Sequence, residues 1–256
     1  MEERLNSRPE SKERGTTPLF FGINMKKEKK LTSSDWLLAL AVTYTVISVT
    51  MNIFCMKSLS FGTDIIICDG GLIISWGIFL ISNVIVEVWG EEMSRKVINI
   101  AAVVAFGAMI VGRLIVFIPT LPEYESQAEA YAKIFSNGPR TIISSVAAFW
   151  LGNIINIEII DRMKKRAEAR KRDGKLLFFF RSSFSTLIGQ LVDNAVFMTL
   201  AFAPVGISVY EMAWKDILSS VLSGTVIELV VESCLVPFIT IPLTLHIQKI
   251  RETEGK

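Results

Sequence analysis

One histidine and three cysteines are the only imidazole and thiol metal ligands in this chain of 256 residues, and they are not grouped. Cys55, Cys68 and Cys234 form no CxxC pair and have no histidine beside them, so zinc, iron–sulfur and disulfide chemistry have no starting point. They read as small apolar residues. His246 stands alone, without the HExxH pattern of a zinc peptidase. The chain also lacks a GxSxG nucleophile elbow and a glycine-rich loop ending in Lys-Ser or Lys-Thr, the signatures of serine hydrolases and nucleotide triphosphatases. The expectation is a protein with no enzymatic chemistry and no cofactor.

Charge, too, is missing over long stretches. Half of the residues are hydrophobic (51%), mean hydropathy is +0.46, and the charges gather in the first thirty residues, at 91–96, at 162–175 and at the C-terminus. Between these blocks lie apolar segments of about 20 residues, the length a helix needs to cross a bilayer. The fold class expected is therefore an all-α integral membrane protein with six spans. The net charge of +2 carries no information about partners, because the charges are so unevenly placed. The first thirty residues end in "KKEKK" and have no apolar core of a signal peptide, so they read as a flexible cytoplasmic tail.

The first span is expected over 36–54, capped by Ser33-Ser34-Asp35 and followed by a loop with Lys57 and Gly62. Asp69-Gly70-Gly71 is turn chemistry, so loop or re-entrant backbone should reach Gly71 and a helix should run from Leu72 to Trp89-Gly90. The third span is expected over 97–118, stopped by Pro119 and Pro122, with a polar linker carrying Glu123, Glu125 and Glu129 behind it. A fourth span over 140–160 leads into the basic run "RMKKRAEARKRDGK", and a fifth over 182–203 closes at Pro204-Val205-Gly206. The sixth, 214–246, should bend at Pro237 and Pro242. On this division residues 1–35 and 249–256 are tails and 36–248 form one transmembrane domain. Lys and Arg then collect on the side of both termini, which places the termini in the cytoplasm by the positive-inside rule. The basic run is a topology-setting loop on this reading, in preference to a nucleic-acid or anionic-lipid site.

Polar residues interrupt these spans, although a charge at the centre of a membrane helix costs about 2.5–3.5 kcal/mol on insertion scales. Asn83 and Glu87 lie in the second, Arg113 in the third, Asn153 and Asn156 in the fourth, Gln190, Asp193 and Asn194 in the fifth, Glu228 and Glu232 in the sixth. Three of the sets repeat at three or four residues, so each lines one helical face. Three stripes on three helices point to a shared polar interior, a ligand or ion cavity; the alternative is interhelical hydrogen bonding alone. Asn153 fits either role, and Glu87 could instead pair with Arg95 or Lys96 at the interface. Ser144, Ala148 and Gly152, like Ala108 and Gly112, read as stripes of small residues for close helix packing.

The segments "SNVIVEVWGEEMSRKVI", "WLGNIINIEIIDRMKKR" and "RSSFSTLIGQLVDNAVF" together resemble the VUT family of queuosine precursor transporters. The first is similar to that family's TDxxxEvyGxxxaRk segment, and the third to its RxxxSTxxGQxxDxxxF segment, the most specific of the matches; Gly70-Gly71 fits as well. The resemblance implies a six-helix inner-membrane importer of 7-deazaguanine bases used to make queuosine in tRNA. It also implies an architecture related to the substrate-binding subunits of energy-coupling-factor importers. Its motif positions fall on Glu87, Gly90, Arg95, Arg181, Ser185, Gly189, Gln190 and Asp193. Two positions depart from it: Asn83 stands where the family usually has aspartate, and Glu228, nine residues before Pro237, where it usually has lysine. The substrate-binding residues expected are Asn83, Glu87, Asn153, Gln190, Asp193, Asn194 and Glu228, with Asn83 and Glu87 on a cavity floor near the cytoplasmic side. The partners expected are a deazapurine base and the bilayer, with no nucleic acid. A vitamin- or purine-binding subunit of a multi-component importer and a non-transporting scaffold are the alternatives.

Overall fold

A computed structural model describes residues 31–55, 57–59, 68–135, 139–170, 174–206 and 211–255. Residues 1–30 of the expected N-terminal tail and the loop glycine Gly62 lie outside the described residues, while residues 33–35, placed in that tail, open the first helix. Among the described residues eight α-helices follow in order: α1 (Ser33–Phe54), α2 (Leu72–Trp89), α3 (Glu91–Val116), α4 (Glu125–Phe135), α5 (Pro139–Ala169), α6 (Lys175–Phe202), α7 (Trp214–Leu235) and α8 (Ile241–Glu254). One two-residue antiparallel pairing, Ser58–Leu59 with Cys68–Asp69, stands between α1 and α2. Among the described residues, six segments are long and apolar enough to cross a membrane: α1, α2, α3, α5, α6 and the continuous stretch of α7 and α8.

The bundle has an apolar core that includes Ile85, Ile98, Phe149 and Ile157, is apolar on its outer faces too, and carries polar stripes that point inward. On α1 the outward face carries Leu38, Val42 and Val46, while Tyr44, Ser48 and Asn52 are buried. On α7 Leu218, Leu222, Val226 and Val230 face out, and Thr225, Glu228 and Glu232 face in. Each stripe repeats every four residues, as one face of a helix must. Contiguous apolar surface of this extent is untenable in water and natural in lipid, where each inward polar group must find its partner within the protein.

Individual boundaries show how the sequence achieves this. Thr32, just before the expected Ser33-Ser34-Asp35 cap, is the true N-cap of α1, and it exchanges hydrogen bonds with Asp35 in a capping box. α2 and α3 are joined by Gly90 alone, whose φ of 90° is left-handed space that favours glycine. This one-residue reversal starts α3 at Glu91, six residues before the expected span. The expected polar linker is instead a short 3₁₀ turn, Pro122–Tyr124, leading into α4, whose Phe135 packs on Gly112. α5 extends to Ala169, so much of the supposed basic loop is helix, held by i,i+4 pairs such as Lys165 with Asp161. Pro237 sits in a π turn at Val236–Thr240, and Pro242 in the first turn of α8, where its missing N–H costs nothing.

The closest helix contact is between α5 and α6. A Cβ on Gly152 would lie 2.7 Å from the Gly189 carbonyl oxygen and 2.8 Å from Asp193 Cβ. One on Gly189 would lie 2.8 Å from Asn156 Cβ and 2.9 Å from the Phe79 ring. Two facing glycines therefore bring the polar faces of α5 and α6 together. Gly152→Val or Gly189→Val is expected to destabilise the protein by about 1–3 kcal/mol, the usual cost of overpacking. Gly107→Val, with open space at its Cβ, should be neutral. Melting of the purified protein in detergent checks this; equal melting of all three variants and wild type would contradict the crossing.

Candidate functional site

The inward polar groups form a column along the bundle in three levels. The first closes the end where Ser33 of α1 hydrogen-bonds Glu254 of α8. Here the Glu87 carboxylate takes a bidentate pair of hydrogen bonds from Arg181 of α6, Nε at 2.7 Å and Nη2 at 2.8 Å, with both side chains almost wholly buried. Lys164 of α5 adds its charge at 3.8 Å and donates to the Glu87 carbonyl at 2.7 Å. Gln248 and Arg251 of α8 reach the Glu87 and Val88 carbonyls. The last carbonyls of α2, which have no partner in their own helix, are thus capped from α5 and α8. The planar guanidinium fits this fork, and the pairing is a strong one because both partners are charged.

The middle level is centred on Asn83. Its Nδ2 reaches Ser182 Oγ at 2.8 Å, Thr186 Oγ1 at 3.1 Å and Glu232 Oε1 at 3.4 Å, while its Oδ1 accepts from Asn156 Nδ2 at 2.8 Å. Thr186 also donates to Glu232 at 2.7 Å, and Gln190 Nε2 lies 3.5 Å from the other carboxylate oxygen. Aspartate at position 83 would face Glu232 carboxylate to carboxylate. Asparagine turns that contact into a hydrogen bond, which gives a physical reason for the departure at this position.

The third level borders a cavity of about 70 Å³ at the other end of the bundle, lined by Ser75, Ser145, Asp193, Asn194, Phe197 and Glu228 among others. Asn194 Nδ2 donates to Glu228 Oε2 at 3.1 Å and also contacts Thr225, and Ser75 donates to the other Glu228 oxygen. Ser145 donates to Asn52 of α1. The cavity therefore sets two carboxylates, Asp193 and Glu228, among amide and hydroxyl groups and one aromatic ring. Its volume suits a few water molecules, so a larger solute enters only if the walls part.

Of the expected binding residues, Asp193, Asn194 and Glu228 line this cavity, and Gln190 and Asn83 lie one level deeper, beside Glu232. Asn153 bonds back to Phe149 of its own helix and leaves its buried Oδ1 without a partner. Glu87 pairs with neither Arg95 nor Lys96: Arg95 is taken by Glu91 at 2.5 Å and Lys96 by Glu92 at 2.8 Å, each one turn back on α3. The reason is direction, since Gly90 reverses the chain and turns Glu87 inward toward α6. Sequence reasoning passed over the Tyr44–Ser48–Asn52 stripe of α1, whose four-residue spacing was visible. It also passed over Ser75 and Ser182, short hydroxyl residues that carry no signal alone, and gave no role to Thr186, the threonine of the RxxxSTxxGQxxDxxxF segment.

Arg181→Gln should strand the buried Glu87 charge and cost about 3–5 kcal/mol, whereas Glu87→Gln combined with Arg181→Gln should recover much of that loss. Melting temperatures of the single and double variants check this; additive losses would show that the two groups do not depend on each other.

This column inside a six-span bundle is the setting in which the comparisons with known proteins are informative. No curated protein and no solved structure matches the chain. A family pattern does match, over residues 69–241, from the turn before α2 to the first residue of α8, and it takes in Glu87, Lys164, Arg181, Asn83, Glu232, Asp193 and Glu228. The chain belongs to the family described as "Putative vitamin uptake transporter", a family of multi-pass membrane proteins for small solutes.

Proposed function

We propose that this protein imports 7-deazaguanine bases, precursors of queuosine, across the cytoplasmic membrane, with both termini in the cytoplasm and the cavity facing outward. The observation that carries the reading is the cavity lined by α1, α2, α5, α6 and α7, with Asp193 and Glu228 set among neutral hydrogen-bonding groups. A guanine-like edge presents two adjacent N–H donors, N1 and the 2-amino group, which one carboxylate accepts together. Asp193 takes that edge, and Phe197 offers an aromatic face for the ring. Asn194 supplies donor and acceptor to the remaining polar atoms. Selectivity follows from burial, because a wrong base leaves polar groups unpaired in a dry site. Glu228, on the opposite wall, favours a cationic substituent such as an aminomethyl arm over a neutral nitrile. The Glu87–Arg181–Lys164 cluster closes the far end of the column, so release to the cytoplasm requires it to open.

The test is thermal stabilisation of the purified protein by deazapurines, purines and vitamins, followed by uptake into vesicles holding this protein alone. Deazaguanine bases should stabilise the protein and accumulate inside. Asp193→Asn should weaken binding by about 1–3 kcal/mol, and Glu228→Gln should erase the preference for the amine over the nitrile form. Binding without uptake would favour a subunit that needs separate energising partners. Stabilisation by no small solute would leave only a scaffold.

A further inference from the structure

Glu232 is the one carboxylate in the column for which the transport reading so far has no use. It is fully buried in the middle of the membrane-spanning region, and each contact of its carboxylate is neutral: Thr186 Oγ1, Asn83 Nδ2 and, at 3.5 Å, Gln190 Nε2. Among the described residues no lysine, arginine or histidine pairs with it. The charged groups facing it from the packed elements are Glu228 on α7 itself, Arg181 and Asp193 on α6, and Glu87 on α2; the π turn below α7 has none. Arg181 is committed to Glu87 in both arms of its fork. A carboxylate left in lipid-depth protein without a counter-charge is costly, and such groups mark ion pathways.

A second, independent feature lies beside it. Gln190 is fully buried, and its Oε1, on the amide that approaches Glu232, has no partner. Asn156, bonded to Asn83, likewise has a buried Oδ1 that accepts no hydrogen bond. The unused Gln190 oxygen, on the amide beside an uncompensated carboxylate, is an oxygen donor for a hard cation. Glu228, one turn away on the same face of α7, stands between this position and the cavity.

We infer that Glu232 is the seat of a monovalent cation, a proton or a sodium ion, which neutralises the middle level of the column and couples its gradient to solute movement. A proton adds to the carboxylate directly. A sodium ion takes the carboxylate together with the Gln190 oxygen. The coupling rests on the transport reading; the ion site does not.

The site is tested without any solute. The purified full-length protein is melted in detergent over a sodium series at constant ionic strength and pH, with choline as replacement, and over a pH series without sodium. Wild type should gain several degrees in one of the two series, since a ligand that binds only the folded state stabilises it. Glu232→Gln is permanently neutral and should melt near the cation-bound wild type and lose that response, whereas Glu92→Gln, on the exposed start of α3, should keep it. No response in wild type, or the same response in Glu232→Gln, overturns the site. If Glu232→Gln does not fold, Glu232→Asp and Gln190→Leu decide, because each must shift the cation midpoint at least several-fold and an unchanged midpoint overturns it. In vesicles, Glu232→Gln should exchange solute across the membrane yet fail to concentrate it in either gradient. A cation response confined to Glu232 in a protein that carries no heterocycle would sink the transport reading and leave the ion site standing.

Discussion

Lipid cannot solvate a polar group, and that constraint organises the whole molecule. Every amide, hydroxyl and carboxylate placed in a spanning helix must meet another inside the bundle or remain unpaired at a cost of about 1–3 kcal/mol or more. The inward polar stripes of α1, α2, α6 and α7 face one another for this reason, and the leucine and valine stripes on the backs of α1 and α7 face out. The same turning inward that hides the polar groups also concentrates them. A column with charge at one end, amides in the middle and a cavity at the other is therefore both the interior of the protein and its candidate solute route.

Two local features make the column possible. Gly90 reverses the chain in one residue, which ends α2 with Glu87 pointed at Arg181 and starts α3 at once. Gly152 and Gly189 bring α5 and α6 together closely enough for Asn156 to reach Asn83 across the interface. Charge then sorts itself by depth. The full ion pair sits where Lys164 and Arg251 can also contribute, and the deeper carboxylates, Glu228 and Glu232, are met by amides and hydroxyls.

The spans and their polar faces were legible in the sequence, because hydropathy and helical spacing are local properties. Leu72 as the start of α2, and the break near Pro237, follow from glycine and proline chemistry alone. Partner choice was not legible. Glu87 has Arg95 close by in sequence, yet it meets Arg181, 94 residues away, because the direction of a side chain after a glycine reversal is a tertiary fact. α4 was missed because its glutamates read as linker, whereas its other face packs Tyr131 and Phe135 onto α3. Asn83, which looked like a lost charge, makes sense only once Glu232 is seen 3.4 Å away.

The central claim is that the cavity lined by Ser75, Asp193, Asn194 and Glu228 admits a planar base by parting its own hydrogen bonds. A structure of the protein in a lipid disc with a 7-deazaguanine base bound tests it most directly. The account predicts the base between Asp193 and Glu228, with the Asn194–Glu228 and Ser75–Glu228 contacts replaced by contacts to the ligand and the Glu87–Arg181 pair intact. A base held elsewhere, with those two contacts unchanged, would contradict it.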